Sequence, residues 1–276
     1  MIRRPGNADW LAVWTWASLA TLLVLGWSLH RQREQALSVS CAASLRLPLE
    51  KIAARYRAEH GVAVHLQFGG SQTLLSQIEA APGADLYLPA DQSYATLAQR
   101  KKLADAATPL AEMQAVILVA AGNPKEIHSW RDLLRDDVRV ALGNPDQAAI
   151  GAAVREALAA EGNWMSLEQA IRARGVLKPT VSDAAMDAAL GAADAAIVWD
   201  VVARQYPQLE TVRDAWLAER VRGRIVASVL TQAARPAAAK RFVEYLASPT
   251  GGQPVFQEFG FQQLSNASSA AQQGVP

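Results

Sequence analysis

Ser38-Val39-Ser40-Cys41-Ala42-Ala43-Ser44-Leu45 is the stretch that decides how this chain folds. Residues 38–42 are small or β-branched and carry no charge, so they suit a strand buried on both faces. Ser44 follows as a candidate helix N-cap. Behind it Leu49, Ile52, Ala53 and Tyr56 are spaced at three and four, which predicts a helix over 45–60 that stops at Gly61. Pro48 falls in the first turn, where a missing N–H costs nothing. A helix N-terminus just past the carboxyl end of a strand gathers unpaired N–H groups and the positive end of a dipole. That combination favours an anion.

The same arrangement recurs along the chain. A strand over 62–68 runs into Gly69-Gly70-Ser71 and a helix carrying Leu74, Leu75 and Ile78. A strand over 85–89 is followed by a helix that Asp91 caps and that reaches Leu103. Residues 113–120 form a long apolar strand, and Ser129 caps a short helix over Trp130, Leu133 and Leu134. The strand 138–142 ends in Gly143-Asn144-Pro145-Asp146, ahead of a helix over 148–160 closed by Gly162. Residues 179–183 lead into a short helix near 184–190, and the strand 195–199 into a helix from Asp200 to about Gln205. A last apolar strand over 225–231 precedes a helix that Pro236 starts and that carries Phe242, Tyr245 and Leu246.

Strands alternating with helices in this way predict an α/β fold, a mainly parallel sheet with helices on its faces. The apolar strands 113–120 and 225–231 bracket a unit of about a hundred residues, a domain by size. Two lobes follow: residues 36–115 with 229–263 form one, 116–228 the other, and the chain crosses between them twice, as a hinge requires. Residues 1–35 form a separate N-terminal segment. The Ser/Ala/Gln-rich residues 264–276 lack periodicity and read as a flexible tail.

The 276 residues carry a net charge of +1, with 19% charged, so neither a nucleic-acid stripe nor an acidic tail is implied. A single cysteine excludes an internal disulfide, and His30, His60, His65 and His128 have no zinc-type spacing. Residues 10–29 contain no charge, follow Arg3 and Arg4, and have Trp10, Trp14, Trp16 and Trp27 towards their ends. Such a run is long enough to span a bilayer as an uncleaved signal anchor. It also reads as a long signal peptide cut at Gly26-Trp27-Ser28. A lipoprotein signal is rejected, since Ser38 stands where a leucine is needed before Cys41. Both surviving readings place residues 36 onward outside the inner membrane.

Five strand-to-helix junctions carry small or hydroxyl residues: Ala43-Ser44, Gly70-Ser71, Ala149-Ile150-Gly151, Val181-Ser182-Asp183 and Val198-Trp199-Asp200. In open α/β sheets ligands sit outside the carboxyl ends of the strands. None of the five holds Arg or Lys, so an anion there would be met by neutral N–H and O–H dipoles. Taken singly, each has a simpler role: the serines, Asp183 and Asp200 as helix caps, Trp199 as packing, Cys41 as a buried small hydrophobe. No nucleophile–base or metal constellation is visible, so an enzyme is not expected.

As a set, Cys41-Ala42-Ala43-Ser44-Leu45, Phe68-Gly69-Gly70-Ser71-Gln72-Thr73-Leu74, Ala84-Asp85-Leu86-Tyr87-Leu88-Pro89-Ala90-Asp91, Gly143-Asn144-Pro145 and Ile197-Val198-Trp199-Asp200 resemble the periplasmic molybdate-binding proteins of ABC importers. The likeness covers residues 38–263 and implies a type II periplasmic-binding-protein fold that binds molybdate or tungstate between its lobes. It also implies a membrane permease as partner, a monomer, and no cofactor, metal or nucleic acid. By position, Ser44 and Ser71 would supply hydroxyls and Ile150, Val181 and Ser182 amides. Trp199 stands where the family has a tyrosine, and its indole N–H donates but cannot accept. Hydrogen phosphate keeps a proton that needs an acceptor, so an inward Asp200 would shift the preference to phosphate. Another oxyanion, sulfate or phosphate, and a membrane-anchored anion sensor remain the rival readings.

Overall fold

In the computed structural model, which describes residues 36–264, the deciding stretch forms strand β1 (Leu37–Ala42), buried at every residue but Ser38. It pairs in parallel with β2 (Val64–Gly69) on one side and with β3 (Leu86–Leu88) on the other. Ser44 does not cap the helix that follows. It lies within a 3-10 turn over Ala43–Leu45, and α1 (Arg46–His60) starts after Leu45 with no side-chain cap. Gly61 ends α1 at a φ of 70°, a left-handed conformation that only glycine takes without strain. The next helix, α2 (Ser71–Ala80), follows Gly70. Asp91 caps α3 (Gln92–Arg100) by accepting from the Ser93 N–H, and this helix stops before Leu103 because Lys102 turns left-handed, φ 58°.

The longest strand, β4 (Thr108–Ala120), changes partners midway. Up to Gln114 it runs antiparallel to β9 (Arg222–Val229), and from Ala115 onward antiparallel to β7 (Ala195–Trp199) and, further along, β8 (Leu209–Val212). Parallel to β7 lies β5 (Val140–Gly143), with β6 (Val176–Lys178) beyond it. The strand order is therefore β2-β1-β3-β9-β4-β7-β5-β6, with β8 off β4. Both halves repeat one layout, 2-1-3 and 6-5-7, parallel in the outer strands and antiparallel at β4 and β9, which run between them.

The helices of the second half are α4 (Ala149–Ala160), α5 (Trp164–Arg174), α6 (Val181–Ala189), α7 (Asp200–Ala203) and α8 (Ala215–Arg220). The chain then returns along β9 to α9 (Pro236–Ala247) and α10 (Gly252–Glu258). Helix α5 is not among the expected elements, although Trp164, Leu167, Ala170 and Ile171 show helical spacing and are all buried. Nor are α8, α10 and the short strands β6 and β8, which are too brief for a periodicity to register. After α10, Gln262 exchanges both backbone hydrogen bonds with Glu112 on β4, while Glu112 accepts from the Arg224 guanidinium on β9. Among the described residues no helix is long and apolar enough to cross a membrane. The apolar run 10–29 and the tail from 265 lie outside the described residues.

Asp85, only 1% exposed, ties the first half together. Its carboxylate accepts from the Ser38 N–H at 2.9 Å, the Arg235 N–H at 3.0 Å and the Arg235 guanidinium at 3.4 Å. One side chain thus joins the starts of β1, β3 and α9. Removing it leaves buried donors unmatched, so Asp85→Ala is expected to lower stability by about 3 kcal/mol in chemical denaturation. A loss below about 1 kcal/mol would show that water replaces the carboxylate there.

Candidate functional site

Where the two halves face each other, the ends of β1, β2, β5 and β7 and the starts of the following helices enclose a small cavity of about 10 Å³, about one water-sized sphere. Its walls are Ala42–Ser44, Gly69–Ser71 and Ala90 from the first half, and Ala148–Ile150, Thr180–Val181 and Trp199 from the second. All five junctions picked out from sequence meet here. The lining contains no Lys, Arg, His, Asp or Glu. Whatever occupies this space is met by neutral groups alone.

The first N–H groups of a helix have no intrahelical partner and are usually satisfied by a capping side chain. Two helices away from the cavity follow this pattern. Asp91 caps α3, and Asp214 caps α8 by accepting from the Trp216 and Leu217 N–H groups. At the cavity α6 is capped by Thr180, whereas α2 follows Gly70 and α4 follows Ala148, neither with a side-chain acceptor. Both N-termini point their positive ends into a space without counter-charge, a configuration suited to an anion.

Two hydroxyls add to these amides. The Ser44 Oγ is buried and has no hydrogen-bond partner, which costs about 1–3 kcal/mol unless a ligand supplies one. The Ser71 Oγ accepts from the Ala90 N–H at 3.1 Å, which leaves its own proton to donate. Trp199 is 1% exposed.

Of the residues singled out from sequence, Ser44, Ser71, Ile150, Val181 and Trp199 line the cavity and Ser182 does not. The correction has a structural cause. Helix α6 starts at Val181, three residues earlier than predicted, and Thr180 is its N-cap. Thr180 takes the wall position, but its hydroxyl is engaged: it donates to Asp183 at 2.7 Å and accepts from the Asp183 N–H at 3.2 Å. The Thr180-x-x-Asp183 spacing is a capping box that sequence could have revealed. Asp183 is thus a cap partner, as its simpler reading held. Cys41 is fully buried in β1, with its Sγ 3.4 Å from the Gln67 carbonyl, and burial pushes its thiol far up, so it is unreactive.

Asp200 does not line the cavity. Its carboxylate accepts from the Gln114 N–H at 3.2 Å, the Val201 N–H at 2.9 Å and the Gln262 amide at 3.5 Å, on the side of β4 and the C-terminal segment. Burial raises its pKa, against these three hydrogen bonds, which lower it. A carboxyl raised in the folded state binds its proton more tightly there than when unfolded, so stability falls as pH rises from the ordinary aspartate value through the raised one. Asp200→Asn is expected to remove that slope. The melting temperature of the variant minus that of the wild type should increase with pH across this window, and a constant difference would contradict it.

The halves touch directly beside the cavity. The Gln72 N–H donates to the Gln147 carbonyl at 3.0 Å, and a Cβ added to Gly70 would lie 2.4 Å from that oxygen and 2.8 Å from the Pro179 carbonyl. The arrangement is a closed one, and it depends on Gly70 lacking a side chain. Gly70 has an extended backbone that alanine adopts freely, φ −69° and ψ 143°. Gly70→Ala should therefore fold normally yet hold the halves apart. Small-angle scattering should give it a larger radius of gyration than the wild type, and equal radii would show that this contact does not limit closure.

A family model described as "Bacterial extracellular solute-binding protein" matches residues 37–262. The Escherichia coli molybdate-binding protein ModA is 35% identical over 142 residues, a stretch covering 49% of this chain and 55% of that protein. ModA of Mycobacterium bovis is 27% identical over 234 residues, covering 83% of this chain and 85% of that protein. Among solved structures, the periplasmic molybdate-binding protein of Azotobacter vinelandii superposes with a TM-score of 0.70 at 22% identity, covering 83% of this chain and all of that one, a likeness of fold. With the family model matching most of its length, this chain belongs to the bacterial extracellular solute-binding proteins.

Proposed function

We propose that this protein captures a tetrahedral oxyanion, molybdate or tungstate, between its lobes outside the inner membrane and hands it to an ABC importer. The observation that carries this reading is a cavity lined by neutral groups, with an orphaned Ser44 hydroxyl and no charged residue. Ser44 and Ser71 donate their hydroxyls. Amides at the starts of α2, α4 and α6, beside Ser71, Ile150 and Val181, donate N–H groups, and Trp199 closes the wall. The names of the E. coli and mycobacterial relatives support molybdate over other anions.

The donor set supports fully deprotonated ions. Molybdate, tungstate and sulfate need only donors, whereas hydrogen phosphate brings a proton that must find an acceptor. With Asp200 bonded elsewhere, no carboxylate is there to take it. Sulfate has shorter bonds and reaches fewer donors at once. Closure is a population shift: an ion contacting both lobes favours the closed form by its differential affinity for it. We assign residues 36–115 and 229–263 to one lobe and 116–228 to the other, a division supported by the change of partner along β4 between Gln114 and Ala115. Residues 10–29, uncharged and flanked by arginines, would tether a monomeric receptor to the membrane beside its permease.

Calorimetric titration of the full chain with molybdate, tungstate, sulfate and phosphate tests this. One-to-one binding of molybdate or tungstate is expected, weakened at least about 100-fold in Ser44→Ala, Ser71→Ala, which removes two hydrogen bonds to a charged group. Binding of sulfate or phosphate alone would shift the receptor to another anion, and silence for all four would overturn the oxyanion reading.

A further inference from the structure

The two cavity serines are not equivalent. Ser44 stands without support, its Oγ bonded to nothing. Ser71 is held twice: its Oγ accepts from the Ala90 N–H at 3.1 Å, and its carbonyl accepts from the Tyr87 hydroxyl at 2.7 Å. Tyr87 lies in β3 between β1 and β9, opposite Ser40 and Ser228, and is fully buried. Burial pushes its phenol well above the ordinary tyrosine value, so it remains a donor at every pH the protein meets. Ser71 opens α2, so a bond to its carbonyl fixes the first turn of a helix whose N-terminus faces the cavity.

We infer that Tyr87 is a positioning residue for the Ser71 hydroxyl: its bond to the Ser71 carbonyl, together with the Ala90 amide on the Ser71 Oγ, presents the hydroxyl proton to the bound oxyanion. Ala90 fills one lone pair of the oxygen, and Tyr87 prevents the turn from rocking away from β3. A donor fixed before the ligand arrives loses little freedom on binding and binds more tightly for it. Tyr87 itself touches no ligand. The inference deepens the proposed oxyanion site and rests on it.

The test is a double-mutant cycle on the full chain, titrated with molybdate, tungstate, sulfate and phosphate and analysed for the ion that binds. Tyr87→Phe keeps the ring and removes the hydroxyl, and is expected to weaken binding about tenfold, the factor that one hydrogen bond is worth. In a Ser71→Ala background the same change should cost nothing further, because the group it positions is gone. In a Ser44→Ala background the tenfold loss should persist. A general loosening of the fold would instead weaken binding equally in all three backgrounds, and that result, or wild-type affinity in Tyr87→Phe, would overturn the inference. If no ion binds the wild type, the oxyanion function and this inference fall together. If one binds and the cycle is additive, only this inference falls.

Discussion

The structure depends on one cavity where a buried hydroxyl has no partner and two helices begin without a side-chain cap. Helices α2 and α4 begin at glycine and alanine where Asp91 and Asp214 cap their counterparts elsewhere, and the Ser44 hydroxyl is sealed in without an acceptor. Each such group costs free energy in the empty protein. The rest of the fold offsets that cost and keeps the donors aimed at one point. An unpaired buried hydroxyl beside two uncapped helix starts, all facing one cavity, is where function is expected.

Offsetting it requires a rigid frame on both sides of a movable joint. Within the first half, Asp85 gathers β1, β3 and α9 at a buried carboxylate. Within the second, the Thr180–Asp183 box fixes the start of α6. Among the described residues, β4, β9 and the C-terminal segment run between them, the last held to β4 through Glu112 and Gln262. Asp200 belongs to this joint. It follows the cavity-wall residue Trp199 and bonds to Gln114 where β4 changes partners, which ties the wall to the crossing strand.

A neutral site suits a protein that must release what it binds. An arginine facing a dianion in a dry cavity would form a charge pair that is costly to break without its partner. Distributed N–H and O–H donors bind through many weaker bonds, most of which are lost together when the halves separate. The close approach of Gly70 to the Gln147 and Pro179 carbonyls shows how little clearance the closed state leaves. Small side chains at the junctions are as much a requirement of closure as of ligand contact.

Much of this was legible in the sequence. Apolar runs bounded by Gly and Pro, followed by helical spacing, announced the α/β alternation. The shared pattern of small and hydroxyl residues after the strands marked five junctions that do meet at one cavity. These features are local, and local backbone preferences act through residues a few positions apart. What sequence could not decide was anything set by neighbours distant along the chain. Ser44 looked like a cap and is an unpartnered hydroxyl, because β1 feeds a 3-10 turn before the helix. Ser182 looked like a wall residue and yields to Thr180, because the capping box moves the helix start by three residues. Asp200 could have faced the ligand or the joint, and only packing against β4 and Gln262 placed it at the joint. Residue type and spacing determined which groups could meet an anion. Tertiary structure decided which of them are left without partners, since whether a donor is satisfied depends on atoms that the chain brings from far away.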